Sequence, residues 1–317
     1  MRFSKSYINY VNLKKSGLIL IVLLFLIQEI NAQSSIDLLT ISGRYGFPQN
    51  AGAPVVGKNS EYGTFINLKL PIVFSEKAIW YNNLTYVGSH VESDASLLSN
   101  IANAIDIHGF VFQTGMVVSL NEKQKLQLLL APRFMTDFEN VTLHNWQLGG
   151  VALFENTFSE NLLMRFGALF NQELFGPSLT PLIHIDWIVS PKWSVSGMLP
   201  IFLKINYKVN EDLIAGFSHF ALVTSYRLGN LSYEDDYIER ASIDLTLFVR
   251  QRILNNLFVE GRYGYAVGRK YAQYTQDQKL DFRLMIINFG DNRVEKNRMM
   301  SGGPIANVRL VYNLPLD

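Results

Sequence analysis

The sequence predicts an all-β fold: a single transmembrane, up-and-down antiparallel β-barrel of 12–14 strands, following a cleaved signal peptide. Three observations predict it. The N-terminus is basic and then apolar, as an export signal is. Segments of about ten residues then alternate apolar and polar side chains to the end of the chain. The connections between them alternate between tight turns and longer polar loops.

The signal comes first. Arg2, Lys5, Lys14 and Lys15 precede an unbroken apolar run, 18–27, and Gln28-Glu29-Ile30-Asn31-Ala32 leads to Gln33. The run is too short to span a bilayer, which needs roughly 20 apolar residues. Cleavage after Ala32 makes 1–32 the signal peptide and 33–317 one barrel domain, placed in the outer membrane of a Gram-negative bacterium.

The strands follow in order at 36–45, 62–74, 78–88, 107–120, 125–135, 146–157, 162–171, 180–189, 193–199, 201–209, 213–227, 240–251, 257–268 and 304–314. Alternation justifies them. Ile243, Leu245, Leu247 and Val249 share one face, and Ser242, Asp244, Thr246 and Arg250 the other, with Phe248 as an exception. Ile201, Leu203, Ile205, Tyr207 and Val209 oppose Phe202, Lys204, Asn206 and Lys208. Val259, Tyr263, Tyr265 and Val267 oppose Glu260 and Arg262, and Ala306, Val308, Leu310 and Tyr312 oppose Asn307, Arg309 and Asn313. A period of two puts one set in lipid and the other in the lumen, whereas a helix, with its period of 3.6, would smear the pattern over all faces. Leu245 is therefore assigned to lipid and Thr246 to the lumen.

Tight turns fall at Ser75-Glu76-Lys77, Asn121-Glu122-Lys123-Gln124, Ser159-Glu160-Asn161, Pro191-Lys192, Asn210-Glu211-Asp212 and Asn255-Asn256. Longer polar loops fall at 46–61, 89–106, 136–145, 172–179, 228–239 and 269–303. Fourteen strands put both chain ends on the periplasmic side. Merging the pair flanking Pro200 would leave 12. A secreted β-sandwich or propeller would also alternate, but here charges fall within the strands, opposite long aliphatics.

Composition narrows the function. Without the signal, 24 basic residues face 26 acidic ones, with no basic footprint for nucleic acid. The chain has no cysteine, which excludes disulfides, thiolate metal sites and a cysteine nucleophile. Its 15 Tyr and 21 Phe are enough for interfacial girdles. No metal or cofactor motif is present.

Five histidines, His90, His108, His144, His184 and His219, are the candidates for acid–base chemistry. The best local pair is His184 and Asp186, which share the lumenal face of one strand. An Asp there can orient a His as in a hydrolytic triad, or the two can form a plain hydrogen-bonded wall pair. Ser218 and His219 are adjacent and so point to opposite faces. Glu234, Asp235, Asp236 and Glu239 lie in an outer loop that would either bind Ca²⁺ weakly or be solvated. The apolar run 280–289 inside the longest loop is expected to pack on the barrel mouth or inside it, because exposing it would be costly.

As a group the lumen-facing charges say more. The bases are Arg44, Lys69, Arg133, Arg165, Lys204, Lys208, Arg250, Arg262 and Arg309; the acids are Glu155, Asp186, Asp244 and Glu260. Rings of Arg and Lys favour anions in a pore, and the same charges can form a cross-strand ladder that fills a closed interior.

Ile30-Asn31-Ala32-Gln33, Gly43-Arg44-Tyr45-Gly46, the Trp193 to Leu199-Pro200 segment, Gly264-Tyr265 with Gly268-Arg269-Lys270-Tyr271, and Phe289-Gly290-Asp291-Asn292-Arg293 together resemble an uncharacterised family of predicted outer-membrane barrels common in Bacteroidota, a domain of unknown function. The resemblance implies the barrel fold and brings no activity. Many such barrels end in an aromatic residue, whereas this chain ends Leu314-Pro315-Leu316-Asp317, with Tyr312 as its last aromatic.

The leading functional reading is a non-enzymatic, porin-like barrel that passes or binds small, anionic solutes. Its partners would be the lipid bilayer, the outer-membrane assembly machinery and those solutes, with no nucleic acid and no cofactor. The alternatives are a barrel hydrolase using His184 and Asp186, and a structural barrel presenting its outer loops to a partner.

Overall fold

The computed structural model describes residues 35–50, 57–95, 97–233 and 235–315. The signal peptide 1–32 lies outside the described residues, as does Glu234. Fourteen strands form the wall: β1 (Ser35–Asn50), β2 (Lys58–Ser75), β3 (Ala78–Ser93), β4 (Ile105–Ser119), β5 (Gln124–Leu130, resuming at Arg133–Thr136), β6 (Trp146–Gln147 and Gly149–Ser159), β7 (Leu162–Glu173), β8 (Gly176–Ile188), β9 (Trp193–Leu199), β10 (Phe202–Lys208), β11 (Leu213–Arg227), β12 (Tyr237–Leu254), β13 (Leu257–Tyr274) and β14 (Gly303–Pro315). Each pairs antiparallel with the next. β14 returns to β1 from Ser35↔Pro315 to Gly46↔Ile305, which closes the barrel. The split at Pro200 is real, because β9 and β10 are separate strands joined at Pro200-Ile201. Pro132 lacks the N–H a ladder needs, and it sits in the break within β5.

The alternation works as the period of two requires. Ile243, Leu245, Leu247 and Val249 are exposed, and Ser242, Thr246 and Arg250 are buried. Phe248, which breaks the sequence pattern, is turned inward, where Lys204 and Arg262 lie over its ring. Aromatic side chains mark both rims. Trp80, Trp187 and Trp193 are exposed near the short turns, with Trp193 4.9 Å from Tyr207. Tyr62, Tyr263 and Tyr265 are exposed toward the long loops, with Tyr45 5.1 Å from Tyr62.

The outer strands run further than the alternation shows. β1 reaches Asn50, β2 begins at Lys58, β3 reaches Ser93, and β13 reaches Tyr274. The expected loop 172–179 is instead a two-residue turn at Leu174-Phe175, with Glu173 paired to Gly176. Beyond the membrane the outward face no longer has to be apolar, so polar residues there read as loop although the ladder continues.

Three apolar clusters sit inside or above the barrel. The largest closes the outer mouth: Val91, Ile105, Ile107, Met135, Tyr226, Leu228, Ile238, Tyr271, Met299 and Met300 pack together with Ala102. Gln273 ties the loops over it, accepting from Ala102 N at 2.9 Å and donating to Asp236 at 2.7 Å and to Asn100 O at 3.1 Å. A second cluster, Phe175, Tyr237, Ala272, Tyr274 and Leu280, anchors the last loop. A third lines the lumen: Leu129, Val151, Leu153 and Leu182, with Tyr81, Leu169, Met198 and Ile201 against them.

Candidate functional site

The lumenal charges gather around a few carboxylates. Glu260 on β13 is fully buried. Its ladder partners are Arg250 on β12 and Arg309 on β14. Arg250 Nε donates to it at 2.8 Å, Arg309 Nη1 at 3.1 Å and Arg262 Nε at 2.6 Å. Lys204 Nζ donates at 3.0 Å from β10. The positions facing one another between Lys204 and β13 are Ser218 and Thr246, both short enough for the lysine to reach past. Arg250 also grips Asp37 in a two-armed pair, at 3.1 and 2.7 Å. Lys69 on β2 is half-buried. Four bases thus meet two acids in one girdle.

The other predicted lumenal residues form smaller groups. Arg44 pairs with Glu61 and, at 3.0 Å, with Asp244. Arg133 reaches Glu173 at 2.8 Å and Gln147 at 3.1 Å. Glu155 takes Arg165 at 2.5 Å and Lys125 at 3.3 Å. Lys208 differs from Lys204, with which it was expected to act on one stretch of lumen. It is about half exposed and bonds Glu211 at the adjacent turn, 2.8 Å away. The extra residues that carry it past the girdle put it at the rim.

Sequence reasoning missed Asp37, Glu61, Glu173 and Glu239 as lumenal or mouth acids, because they lie at strand ends or in stretches that read as loop. Two motifs of the family resemblance explain themselves here. Glu61 is fully buried and meets Arg44, Arg269 at 3.0 Å and the Tyr271 hydroxyl at 2.6 Å. A Cβ on Gly46 would lie 2.2 Å from Arg269 Nη1, so only glycine leaves room for that pair. Likewise Arg293 joins Asp291 at 2.7 Å to Glu239 at 2.8 Å. Of the outer-loop acids the structure describes, Asp236 and Glu239 are therefore buried rather than solvated, and Asp235 is half-exposed but paired. Asp235 pairs with Arg227, Asp236 with Lys296 at 2.7 Å, and Glu239 with Arg283, Arg293 and Lys270. Among the described residues no cluster of His, Asp and Glu could hold a metal ion.

His184 Nε2 lies 2.7 Å from Asp186 on the same face of β8. Its Nδ1 is buried without a hydrogen-bond partner. Among the described residues no hydroxyl is bonded to its ring. Ser218 accepts from Arg262 at 2.9 Å and lies apart from the neighbouring His219 ring. A histidine group unseen in the sequence lies on β3 and β4, where His90 and His108 flank Asp106 at 3.8 and 3.4 Å and Tyr86 meets His108 at 2.9 Å. The ladder pairing His90 with Asp106 creates it.

A closed 14-strand wall, an apolar outer surface with aromatic rims and a charged lumen together define an outer-membrane β-barrel of porin-like architecture. The chain belongs to the family described as a domain of unknown function, DUF6268, whose model matches residues 74–293. No curated protein matches it. Among solved structures it is similar to an outer membrane channel from Pseudomonas putida F1, at 10% identity and a TM-score of 0.42, over 92% of this chain and 98% of that one. It is also similar to a mutant of the TodX monoaromatic hydrocarbon channel, at 10% identity and 0.38, over 87% and 89%. The NanC porin follows at 8% identity and 0.34, over 86% and 98%. Likeness at this level does not carry a solute from one chain to another.

Proposed function

We propose that this protein is a non-enzymatic outer-membrane barrel that admits small anionic solutes to its lumen. One observation carries the reading: a fully buried carboxylate, Glu260, is surrounded by Lys204, Arg250, Arg262 and Arg309, and Asp37 on Arg250 adds a second negative charge. The girdle holds two more positive than negative groups. An uncompensated excess of positive charge inside a low-dielectric wall draws anions. The apolar cluster across the mouth means that passage along the barrel axis requires the outer loops to move.

Planar-bilayer recordings under a KCl gradient test this. The wild type, and a variant with the 97–103 loop shortened to loosen the mouth, should show an anion-selective reversal potential. Lys204→Glu with Arg309→Glu changes the girdle by four charges and should shift it toward cations. Cation selectivity in the wild type, or no conductance in either protein, overturns the proposal.

A further inference from the structure

The barrel wall changes character at one place. β9 and β10 have seven residues each, between β8 with 13 and β11 with 15. Their hairpin stops at Pro200-Ile201. Its last ladder partners are Ile183 on β8 and Phe220 on β11, and Ala221 N donates to Ile201 O at 2.7 Å. Above that point Gly176–Leu182 of β8 and Leu222–Tyr226 of β11 have no ladder between them, while Arg227 pairs parallel with Thr136 of β5.

Both edges are finished by other means. On β8, Phe175 O accepts from Leu280 N and Leu179 O from Met285 N, so odd-numbered residues face the gap. The odd positions that remain are Pro177 and Pro181. Proline has no N–H to leave unpaired, which is how natural sheets tolerate an edge. On β11, side chains replace a strand. Ser225 N donates to Glu173 Oε2 at 3.0 Å, and Ser225 O accepts from Gln147 Nε2 at 3.0 Å.

A small hairpin from the last loop, Phe282–Leu284 and Ile287–Phe289, covers the gap by pairing parallel to β8 at Ser178↔Arg283 and Leu179↔Leu284. That is two residue pairs, far fewer than any strand of the wall. Its base is fixed, with Arg283 bonded to Glu239 and lying 4.0 Å over the Phe175 ring. Its tip, Met285, Ile286 and Ile287, is exposed and wholly apolar, with Ile286 82% accessible. The tip belongs beside lipid: Pro181 and Pro177 lie six and ten residues above the rim residue Trp187, about 15–25 Å up a tilted strand, in the outer half of the apolar band. Behind the gap, on the lumenal side, lies the third apolar cluster, with Leu182, Met198 and Ile201 nearest to it.

We infer that the break between β8 and β11 is a side door in the barrel wall, with hairpin 282–289 as its leaf, through which small apolar molecules pass between the outer leaflet and the lumen. Ile286 at the tip, Pro177 and Pro181 on the β8 edge and Val223 on β11 are all apolar, and Leu182 behind them is buried in the third cluster. Apolar residues of the outer loops pack across the mouth, and with Arg283 held by Glu239 the tip swings by giving up only the Leu179↔Leu284 pairing and the Met285 N to Leu179 O bond. The inference goes beyond the anion reading and does not depend on it, because the door is apolar and the girdle charged.

The chain has no cysteine, so Leu179→Cys with Leu284→Cys gives one disulfide that staples the leaf to β8. The assay is uptake of 1-N-phenylnaphthylamine, an uncharged apolar probe that brightens in the inner membrane layers, by Gram-negative cells displaying the full chain. Wild type and the reduced double variant should speed uptake alike. Oxidation should return the double variant to the rate of cells without the protein, and dithiothreitol should restore it. Each single-cysteine variant should be indifferent to oxidation, and reversal by reductant shows that the stapled barrel is folded. Undiminished uptake through the oxidised double variant, or no acceleration by wild type, overturns the side door. Neither result touches the chloride selectivity of the girdle, which is read separately in KCl.

Discussion

Glu260→Gln is the sharpest test of the lumen. The side chain is fully buried and receives bonds of 2.6–3.1 Å from Arg262, Arg250, Lys204 and Arg309. At an effective dielectric constant of 20, each contact at 3 Å carries about 5 kcal/mol of Coulomb attraction, which desolvation largely offsets. Removing one partner of a buried pair costs about 3–5 kcal/mol, because the others are left uncompensated. Glutamine keeps the shape and one acceptor oxygen, so the loss is electrostatic rather than a cavity. Asp37 bonds only Arg250 of the four, and cannot replace it. We expect Glu260→Gln to lower unfolding stability by about 3–5 kcal/mol, measured by urea titration in lipid vesicles with tryptophan fluorescence. Adding Arg309→Met removes a cation that then has no partner, and should recover at least about 1 kcal/mol as a coupling between touching residues. A loss below about 1 kcal/mol, with no recovery in the double variant, would show that water screens the girdle and that the buried-charge argument is wrong.

Other outcomes follow from the same geometry. Leu247→Arg, on the most exposed position of its strand face at 70%, should cost about 2–4 kcal/mol in the same titration, whereas Lys208→Ala, at the rim, should stay within about 0.5 kcal/mol; equal effects would refute the assignment of faces. Thr246→Arg should also destabilise, because Thr246 is buried beside the girdle, and stability like wild type would mean that the lumen has spare room there. The Arg293 guanidinium beside Asp291 holds that carboxyl down to about 2; a depressed folded value contributes stability above the unfolded value near 4 and loses it as pH falls toward 2. Protease protection of the last loop should therefore hold from pH 7 to 5 and drop below pH 4, and a drop already at pH 6 would exclude Asp291 as its cause. Mass spectrometry of exported protein should find Gln33 as the first residue, and a chain retaining 18–27 would refute the cleavage site.

The sequence alone determined the barrel. Period-two alternation is a local property, imposed on each strand by lipid on one side and lumen on the other, so it survives without knowledge of neighbours. The tight turns are local too, and with them came a count of 12–14 strands; the separation of β9 from β10 at Pro200 was settled only by the structure. Arg44, Arg133, Arg165, Lys204, Arg250, Arg262 and Arg309 could be set on a face, because face follows from parity. Their partners could not. Glu61 and Arg269 are 208 positions apart, and Arg250 and Asp37 are 213 apart; only closure of β14 onto β1 and the stagger of the strands bring them together. The same holds for the packed mouth, which draws apolar residues from three polar-looking loops, 89–106, 228–239 and 269–303, and from three strand ends. Strand length beyond the membrane, where no solvent contrast marks the ladder, was also a tertiary decision. So was the gap between β8 and β11: Pro177 falls in a stretch that reads as loop and Pro181 in one that reads as an ordinary strand, and both become edge residues only because the hairpin beside them stops short.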